Sequence, residues 1–328
     1  MSFFDSGYAV PVSVIIFFLL PLVFTLFFGR VFCAAVCPLG GIQDLVLLKP
    51  VDVASWLESS LRIFAYVYLS AAVLFAATGS AFVICRYDPF ISFYRLSGSL
   101  NILVLGSCFL IIGVFVGRPY CRFVCPYSVI LRQLSRFSRW RVTITPDECI
   151  KCRLCEDSCP FGAIDKPTTE FPAEELNRGK KRLGLLIVLL PVLIYACGWA
   201  GSAVSDSSSR VHATVRLAER IYAENIGQVQ ETTDASTAFR ATGKSVEQLY
   251  DEASSITKDF VLGGWLAGGF VGLVIGLKLI RHSVWRGGGD YEANRAGCLA
   301  CGRCFEYCPR EQVRLNEKKG QLEKPDEN

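Results

Sequence analysis

One cysteine pattern occurs twice in the chain. It reads Cys149-x2-Cys152-x2-Cys155-x3-Cys159-Pro160 and again Cys298-x2-Cys301-x2-Cys304-x3-Cys308-Pro309. Three thiolates at steps of three come from one short loop that wraps a face of an iron–sulfur cubane, and the fourth, before proline, reaches the other cluster in two-cluster proteins. The spacing predicts two [4Fe-4S] clusters with crossed ligands. The expected sets are Cys149, Cys152, Cys155 and Cys308 for cluster 1, and Cys298, Cys301, Cys304 and Cys159 for cluster 2.

Zinc and disulfides are the alternatives for these cysteines. Zinc sites use pairs of Cys-x2-Cys or mixed Cys and His sets, not a triple run closed by Cys-Pro. Disulfides require an oxidising compartment, whereas the topology argued below places both runs in the cytoplasm.

A shorter pattern, G-R-x-[FY]-C-x3-C-P, also occurs twice, starting at Gly29 and at Gly117. Two cysteines at i and i+4 lie on one face of a helical turn. If both turns end parallel spans at the same membrane face, they offer four thiolates to a third cluster. These are Cys33, Cys37, Cys121 and Cys125. Redox-active thiols and purely structural cysteines remain open as alternatives.

The composition predicts that these motifs are carried by a membrane protein. Of 328 residues, 52% are hydrophobic and only 20% are charged, with a mean hydropathy of +0.37. Each of five charge-free windows is about as long as the 17–25 residues that a bilayer core requires. The windows are residues 6–29, 63–85, 96–117, 183–205 and 260–277. The last is rich in glycine, which favours close packing against another helix.

The basic residues predict the orientation of this five-span α-helical bundle. Of 34 Lys and Arg, 26 lie in the segments 30–62, 118–182 and 278–328, and such residues concentrate on the cytoplasmic side. We therefore expect a multi-pass protein of the bacterial inner membrane, with its N-terminus outside and its C-terminus inside. Both long cysteine runs then meet in the cytoplasm as a split two-cluster ferredoxin domain of α+β type.

The predicted organisation has six parts. They are a three-span region with the two repeats (1–145), the first ferredoxin half (146–182), the fourth span (183–205), an extracytoplasmic helical insert (206–259), the fifth span (260–280) and the second ferredoxin half (281–328). Helical periodicity from Val211 to Tyr222 and from Val246 to Ile256 predicts two amphipathic helices in the insert, with a loop at 228–243. These helices either cap the bundle or form a docking surface for another subunit.

Several cofactors are not expected. The two histidines, His212 and His282, lie outside the spans, so a bis-histidine haem in the bundle is excluded. The chain has no C-x-x-C-H, G-x-G-x-x-G or P-loop motif for haem attachment, NAD or ATP. The basic stretch from Arg132 to Arg141 predicts an interfacial helix that contacts membrane lipid, or a landing patch for an acidic ferredoxin. No nucleic-acid partner is expected.

The two short repeats, the segment Cys85-Arg86-Tyr87-Asp88-Pro89-Phe90 between them and the first long run together resemble the NapH/NosR-type membrane polyferredoxins. CcoG-like proteins and the membrane flavoproteins beside reductive dehalogenases share the short repeat. The resemblance covers about residues 10–165 and the terminal run. The chain departs from it by lacking an N-terminal flavin-binding domain of the NosR kind and by separating its ferredoxin halves with two spans.

The resemblance implies an electron-transfer subunit, not a complete enzyme. Its expected partners are the quinone pool and other subunits of a respiratory complex, such as a cytochrome, a catalytic reductase or a flavoprotein. The alternative is an assembly, metal-reducing or redox-sensing factor for a respiratory enzyme.

Overall fold

The computed structural model describes residues 12–80, 83–95, 99–144, 149–168, 173–229, 231–284 and 289–322. Its elements, in chain order, are α1 (Val12–Phe28), α2 (Val31–Ala35), α3 (Pro38–Leu45), α4 (Ser55–Ala77), α5 (Val83–Tyr87), α6 (Ile91–Arg95), α7 (Leu100–Gly113), α8 (Pro119–Phe123), α9 (Pro126–Leu134), α10 (Leu154–Asp157), β1 (Ile164–Asp165), α11 (Ala173–Ala203), α12 (Ser205–Ser209), α13 (Ala213–Asn225), α14 (Asp234–Ala241), α15 (Val246–Ser283), β2 (Glu292–Ala293), α16 (Arg303–Glu306) and α17 (Pro309–Leu322). A 3₁₀ turn, Ser135–Phe137, follows α9.

Three described helices are long and apolar enough to cross a membrane. They are α4, the Asn177–Ala203 part of α11, and α15. Helices α1 and α7 are also apolar but shorter, with 17 and 14 residues. Residues 6–11 of the first expected span lie outside the described part of the chain. The protein is therefore mostly helical with three candidate spans, and the five-span arrangement stays a prediction.

Helix α4 begins and ends earlier than the charge-free window 63–85 predicts. It runs from Ser55 to Ala77 and includes Glu58 and Arg62, which form an ion pair one turn apart. Gly79, with φ +67°, follows the helix end in the left-handed conformation that commonly stops helices. A search for uncharged windows misses this start because it treats two mutually neutralising charges as a boundary.

The described chain forms two compact units. One contains residues 66–88 and 179–283, and the other contains 10–65, 89–178 and 284–328. In the first unit, α11 and α15 pack so closely that a side chain added at Gly201 or Gly268 would collide with the opposing backbone at Gly264 or Cys197. The expected close packing of the glycine-rich fifth span is thus confirmed, with α11 as its partner.

The insert of the first unit is helical, as expected, and its described residues contain α12 and α14 in addition to the two expected helices. A core of Val215, Ala218, Ile221, Phe239, Leu249 and Ala253 joins α13, α14 and the beginning of α15. The prediction of a loop at 228–243 is wrong, because Thr233 and Ser236 form a capping box that starts α14. Helix α15 continues without interruption from this core into the fifth predicted span.

In the second unit, a two-stranded antiparallel sheet joins the two ferredoxin halves. Ile164 pairs with Ala293 and Asp165 with Glu292. The side-chain amide of Asn294 also donates to both carboxylate oxygens of Asp165, at 3.1 and 3.0 Å. The split ferredoxin domain therefore assembles from segments that are far apart in the sequence.

In the second unit, the segment that follows each short repeat forms a hydrogen bond at the end of the helix that precedes the other repeat. The backbone N–H of Val51, after α3, donates to the Phe115 carbonyl beyond α7 at 2.7 Å, and that of Trp140, after α9, donates to the Phe27 carbonyl of α1 at 2.8 Å. Each repeat thus supports the helix that precedes the other. The short helices of the repeats accordingly pack against α1 and α7.

Candidate iron–sulfur sites

The first cavity lies in the ferredoxin domain and is lined by cysteines from both long runs. Its thiol-bearing residues are Cys149, Cys152, Cys155 and Cys308. Ile144, Ile150 and Tyr291 complete an apolar wall, while Arg153 and Arg310 stand at its rim. The three cysteines of the first run and the last cysteine of the second run are brought together, as the crossed ligand prediction requires.

The second cavity has the complementary composition. Its thiol-bearing residues are Cys159, Cys298, Cys301 and Cys304. Backbone N–H groups already point at two of these sulfurs: Ala163 donates to Cys159 at 3.4 Å, and Ala300 donates to Cys298 at 3.3 Å. Such hydrogen bonds favour the thiolate and tune the potential of a bound cluster.

The two cluster-binding loops share an unusual backbone. Lys151 and Arg153 in the first loop have φ +55° and +67°, and their counterparts Ala300 and Gly302 in the second have φ +55° and +78°. Left-handed φ values are uncommon outside glycine, and strained backbone concentrates at functional sites. The same left-handed conformation at the two equivalent positions gives both cysteine loops a common backbone shape.

The chemistry of the donor sets fits [4Fe-4S] clusters. Each cavity offers four thiols, which is the ligand set of a cubane. Among the residues that the structure describes, no three His, Cys, Asp or Glu side chains converge as around a single metal ion. The fourteen cysteines with described side chains are free, and Cys85 lies outside that set.

The starts of two short helices fix the positions of the repeat cysteines. Cys37 and Cys125 are the N-cap residues of α3 and α9, each followed by proline at the first helical position. Proline suits that position because it lacks the N–H that a helix start leaves unbonded. Cys33 and Cys121 lie in the preceding short helices, α2 and α8. The prediction that each pair shares one helical turn is therefore wrong, because the chain breaks between the two helices at the proline that follows the second cysteine. The motif thus directs two thiols from each repeat into the same region.

The repeat thiols are half-buried neighbours. Burial raises the pKa of Cys121 well above its usual value, and the charges of Cys125, Cys37 and Cys33 act in the same direction. Burial also raises the pKa of Cys125 to about 12, opposed by the N–H groups of Ser128 and Tyr127. The four thiols thus lie close enough together for their charges to influence one another.

Sequence reasoning missed a buried glutamine at this site. Gln43 is fully buried, donates to the Cys121 sulfur at 3.2 Å and accepts from the Tyr120 N–H at 3.1 Å. It links α3 of the first repeat to α8 of the second. No spacing rule singles out this residue, because its role depends on a contact between distant segments.

The repeats lie alongside α1 and α7, not beyond their ends as expected. The Tyr127 hydroxyl donates to the Phe18 carbonyl at 2.8 Å, and Phe18 precedes the end of α1 by about 15 Å of helix. The Tyr120 ring is 5.6 Å from that of Phe109 on α7. Left-handed conformations at Gly29 and Arg118, φ +69° and +52°, occur where the chain turns back.

The repeat thiols and the second cavity share one apolar cluster. Phe161, Ala163 and Leu299 form it, and Cys33, Cys159 and Cys298 pack against it. Gly117 of the second repeat lies against the Pro160 carbonyl, where an added Cβ would come within 2.5 Å. The repeats are therefore docked directly on the ferredoxin domain.

Comparison with known proteins assigns both regions to iron–sulfur chemistry. One 4Fe-4S binding domain family matches residues 10–52 and 100–145, and a second 4Fe-4S binding domain family matches residues 142–165. The first match contains all four repeat cysteines, and the second contains the first long run. No solved structure matches the chain.

Relatives identify the class of protein. An uncharacterized protein of Methanocaldococcus jannaschii is 31% identical over 40% of this chain and 52% of its own length. The putative electron transport protein YccM of Escherichia coli is 24% identical over 42% and 43%, and the regulatory protein NosR of Stutzerimonas stutzeri is 26% identical over 42% and 21%. The resemblance to NapH/NosR-type membrane polyferredoxins is confirmed. The chain is similar to iron–sulfur electron transport proteins of membranes, and its match spans about half or less of these relatives' lengths.

Proposed function

We propose that the protein passes electrons between the quinone pool and a redox partner protein, as an iron–sulfur subunit of a respiratory complex. It carries one [4Fe-4S] cluster in each ferredoxin cavity, with the crossed ligands described above, and a third at Cys33, Cys37, Cys121 and Cys125. Its partners are a cytochrome, a catalytic reductase or a flavoprotein. One observation carries the proposal: Cys33 of the repeat site and Cys159 and Cys298 of the second cavity pack against the same apolar cluster, so these two sites are adjacent.

The position of the repeats supports exchange with a lipid-soluble carrier. Tyr127 reaches the middle of α1, and the Trp140 ring lies 5.1 Å from that of Phe28 at the helix end. Tryptophan is typical of the membrane–water boundary. We infer that Phe28 lies at this boundary and propose that the repeat thiols lie within the apolar layer where quinones reside.

Reoxidation by quinone tests this proposal. The purified protein is reconstituted in liposomes, its clusters are reduced with dithionite, and a quinone confined to the bilayer is added after the reductant is removed. Each cluster loses one electron, and two electrons with two protons convert the quinone to quinol. We expect the reduced-cluster electron paramagnetic resonance signal to decay rapidly in the wild type and, in Cys33→Ala, no faster than in vesicles without quinone.

The exposed Cys108 on α7 provides the control, and Cys108→Ala should behave as wild type. Slow reoxidation of the wild type would refute quinone exchange. Rapid reoxidation of a Cys33→Ala protein that lacks the third cluster would refute entry through the repeat site.

The proposed topology predicts which thiols are reachable from outside the cell. With five spans and both ferredoxin halves in the cytoplasm, a membrane-impermeant thiol reagent should not label Cys152 or Cys301 in intact cells after cluster removal. The matched control is Thr232→Cys in the insert, where Thr232 is exposed; this variant should be labelled from outside. External labelling of Cys301 would overturn the orientation.

The name of one relative favours a second candidate. The Stutzerimonas protein is named a regulatory protein, which agrees with an assembly, metal-reducing or redox-sensing role for this chain. A respiratory subunit should copurify in constant ratio with a catalytic or cytochrome subunit under anaerobic conditions. A maturation or sensing factor should be recovered without one.

A further inference from the structure

The arginines of the two short repeats line a third cavity. Its wall contains five arginines and the repeat thiol Cys121. Four of the arginines are buried, with exposed fractions of 2–9%: Arg30, Arg118, Arg122 and Arg132; the fifth is Arg62. Guanidinium groups are seldom buried without a compensating charge, so the cavity concentrates positive charge that needs a counterpart.

Carboxylates neutralise part of this positive charge. Asp44 binds the Arg118 guanidinium through both of its oxygens. Glu58 forms ion pairs with Arg62 and with Arg122. In these places the cavity is a network of ordinary buried ion pairs.

Arg30 is different. Its hydrogen bonds to oxygen go to neutral groups, the Ser128 hydroxyl at 2.7 Å and the Ala296 carbonyl at 3.4 Å. Its Nε has no hydrogen-bond partner among the described residues, and the side chain is 3% exposed. The guanidinium is therefore buried without a described carboxylate partner.

Thiolate sites lie on both sides of Arg30. It precedes Cys33 by one turn, and its bond to Ala296 holds it beside the loop that begins at Cys298. The Arg30 guanidinium lies close enough to both sulfurs for its charge to act on each of them. Four thiolates give a [4Fe-4S] site net negative charge, which increases on reduction. A fixed cation between two such sites stabilises the reduced state of both.

We propose that Arg30 is a shared counter-charge of the second cavity and of the repeat cysteine site, and that it raises the reduction potentials of the clusters bound there. The inference rests on the clusters assigned under the proposed function. Arg30 takes no part in the electron transfer itself; each cluster takes one electron from its donor. The first cavity lacks this device, because Arg153 and Arg310 at its rim are exposed and solvent weakens their effect.

Potentiometric titration followed by electron paramagnetic resonance tests this role in the full-length protein. Arg30→Gln should shift the reduced-to-oxidised ratio of the second-cavity cluster about tenfold towards oxidised at a fixed potential, equivalent to 59 mV for one electron. The first-cavity cluster, identified by its loss in Cys152→Ser, should keep its potential. Arg30→Lys should restore most of the shift, and Arg136→Gln, which alters an exposed arginine, should have no effect.

An unchanged potential in Arg30→Gln with full iron content would overturn the proposal. If Arg30→Gln loses iron, Arg30→Lys decides. If Arg30→Lys regains the iron content and the reduction potential of the wild type, the positive charge is what matters. If Arg30→Lys loses as much iron as Arg30→Gln, Arg30 acts through its hydrogen bonds, and the counter-charge proposal is refuted. A wild-type protein without clusters would instead refute the proposed function.

Discussion

Replacing Cys159 with serine is expected to remove the cluster of the second cavity and to leave that of the first intact. Cys159 belongs to the first long run, yet it lines the cavity of Cys298, Cys301 and Cys304. A [4Fe-4S] cluster deprived of one thiolate is destabilised, so we expect a loss of about four irons per chain. Anaerobic iron and sulfide analysis measures the loss, and electron paramagnetic resonance identifies the cluster.

Two matched variants provide reference spectra that identify which cluster Cys159→Ser removes. Cys301→Ser should reproduce the spectrum of Cys159→Ser, since both remove ligands of one cavity. Cys152→Ser should give the complementary spectrum, because Cys152 lines the first cavity. If the spectrum of Cys159→Ser matched that of Cys152→Ser instead, ligands would not cross between the runs.

Removing the Cys121 thiol is expected to lower the iron content from about twelve to about eight per chain, through loss of the third [4Fe-4S] cluster alone. Cys121 is a neighbour of the other three repeat thiols and receives a hydrogen bond from Gln43. Cys121→Ala therefore removes a ligand from the centre of the set. Iron analysis, together with the ferredoxin-cluster signals, measures the effect.

The control for this prediction is Cys108→Ala, which changes an exposed cysteine on α7 and should keep about twelve irons. The intact ferredoxin signals of Cys121→Ala show that the domain still folds. A wild-type protein with about eight irons that Cys121→Ala leaves unchanged would exclude the third cluster. The ferredoxin domain would then hold all the iron.

The sequence by itself determined the local features of this protein. Cysteine spacing and the proline after each last cysteine indicated iron–sulfur loops, and composition indicated a membrane protein. Cys37 and Cys125 stand at helix starts because the rule that puts proline at the first helical position depends on adjacent residues alone. Helical periodicity likewise predicted α13, whose buried residues face one core.

Features that depend on pairs of charges or on local capping were only partly predictable. The ion pair of Glu58 and Arg62 extends α4 through residues that a hydropathy window takes as its limit. Thr233 and Ser236 start α14 within a segment whose polar composition suggested a loop. In both cases, the stabilising interaction is specific to two side chains, and averages over composition cannot detect it.

Only the tertiary structure decided which distant groups meet. The sheet of Ile164 with Ala293 joins the ferredoxin halves, and Gln43 and Arg30 acquire their roles by touching Cys121 and Ser128 in another repeat. Such contacts form when folding buries surfaces from separate segments against each other, and nothing in the spacing along the chain encodes which surfaces these are. The cysteines could therefore be recognised from sequence, whereas the arginine between two of their sites could be recognised only in the folded protein.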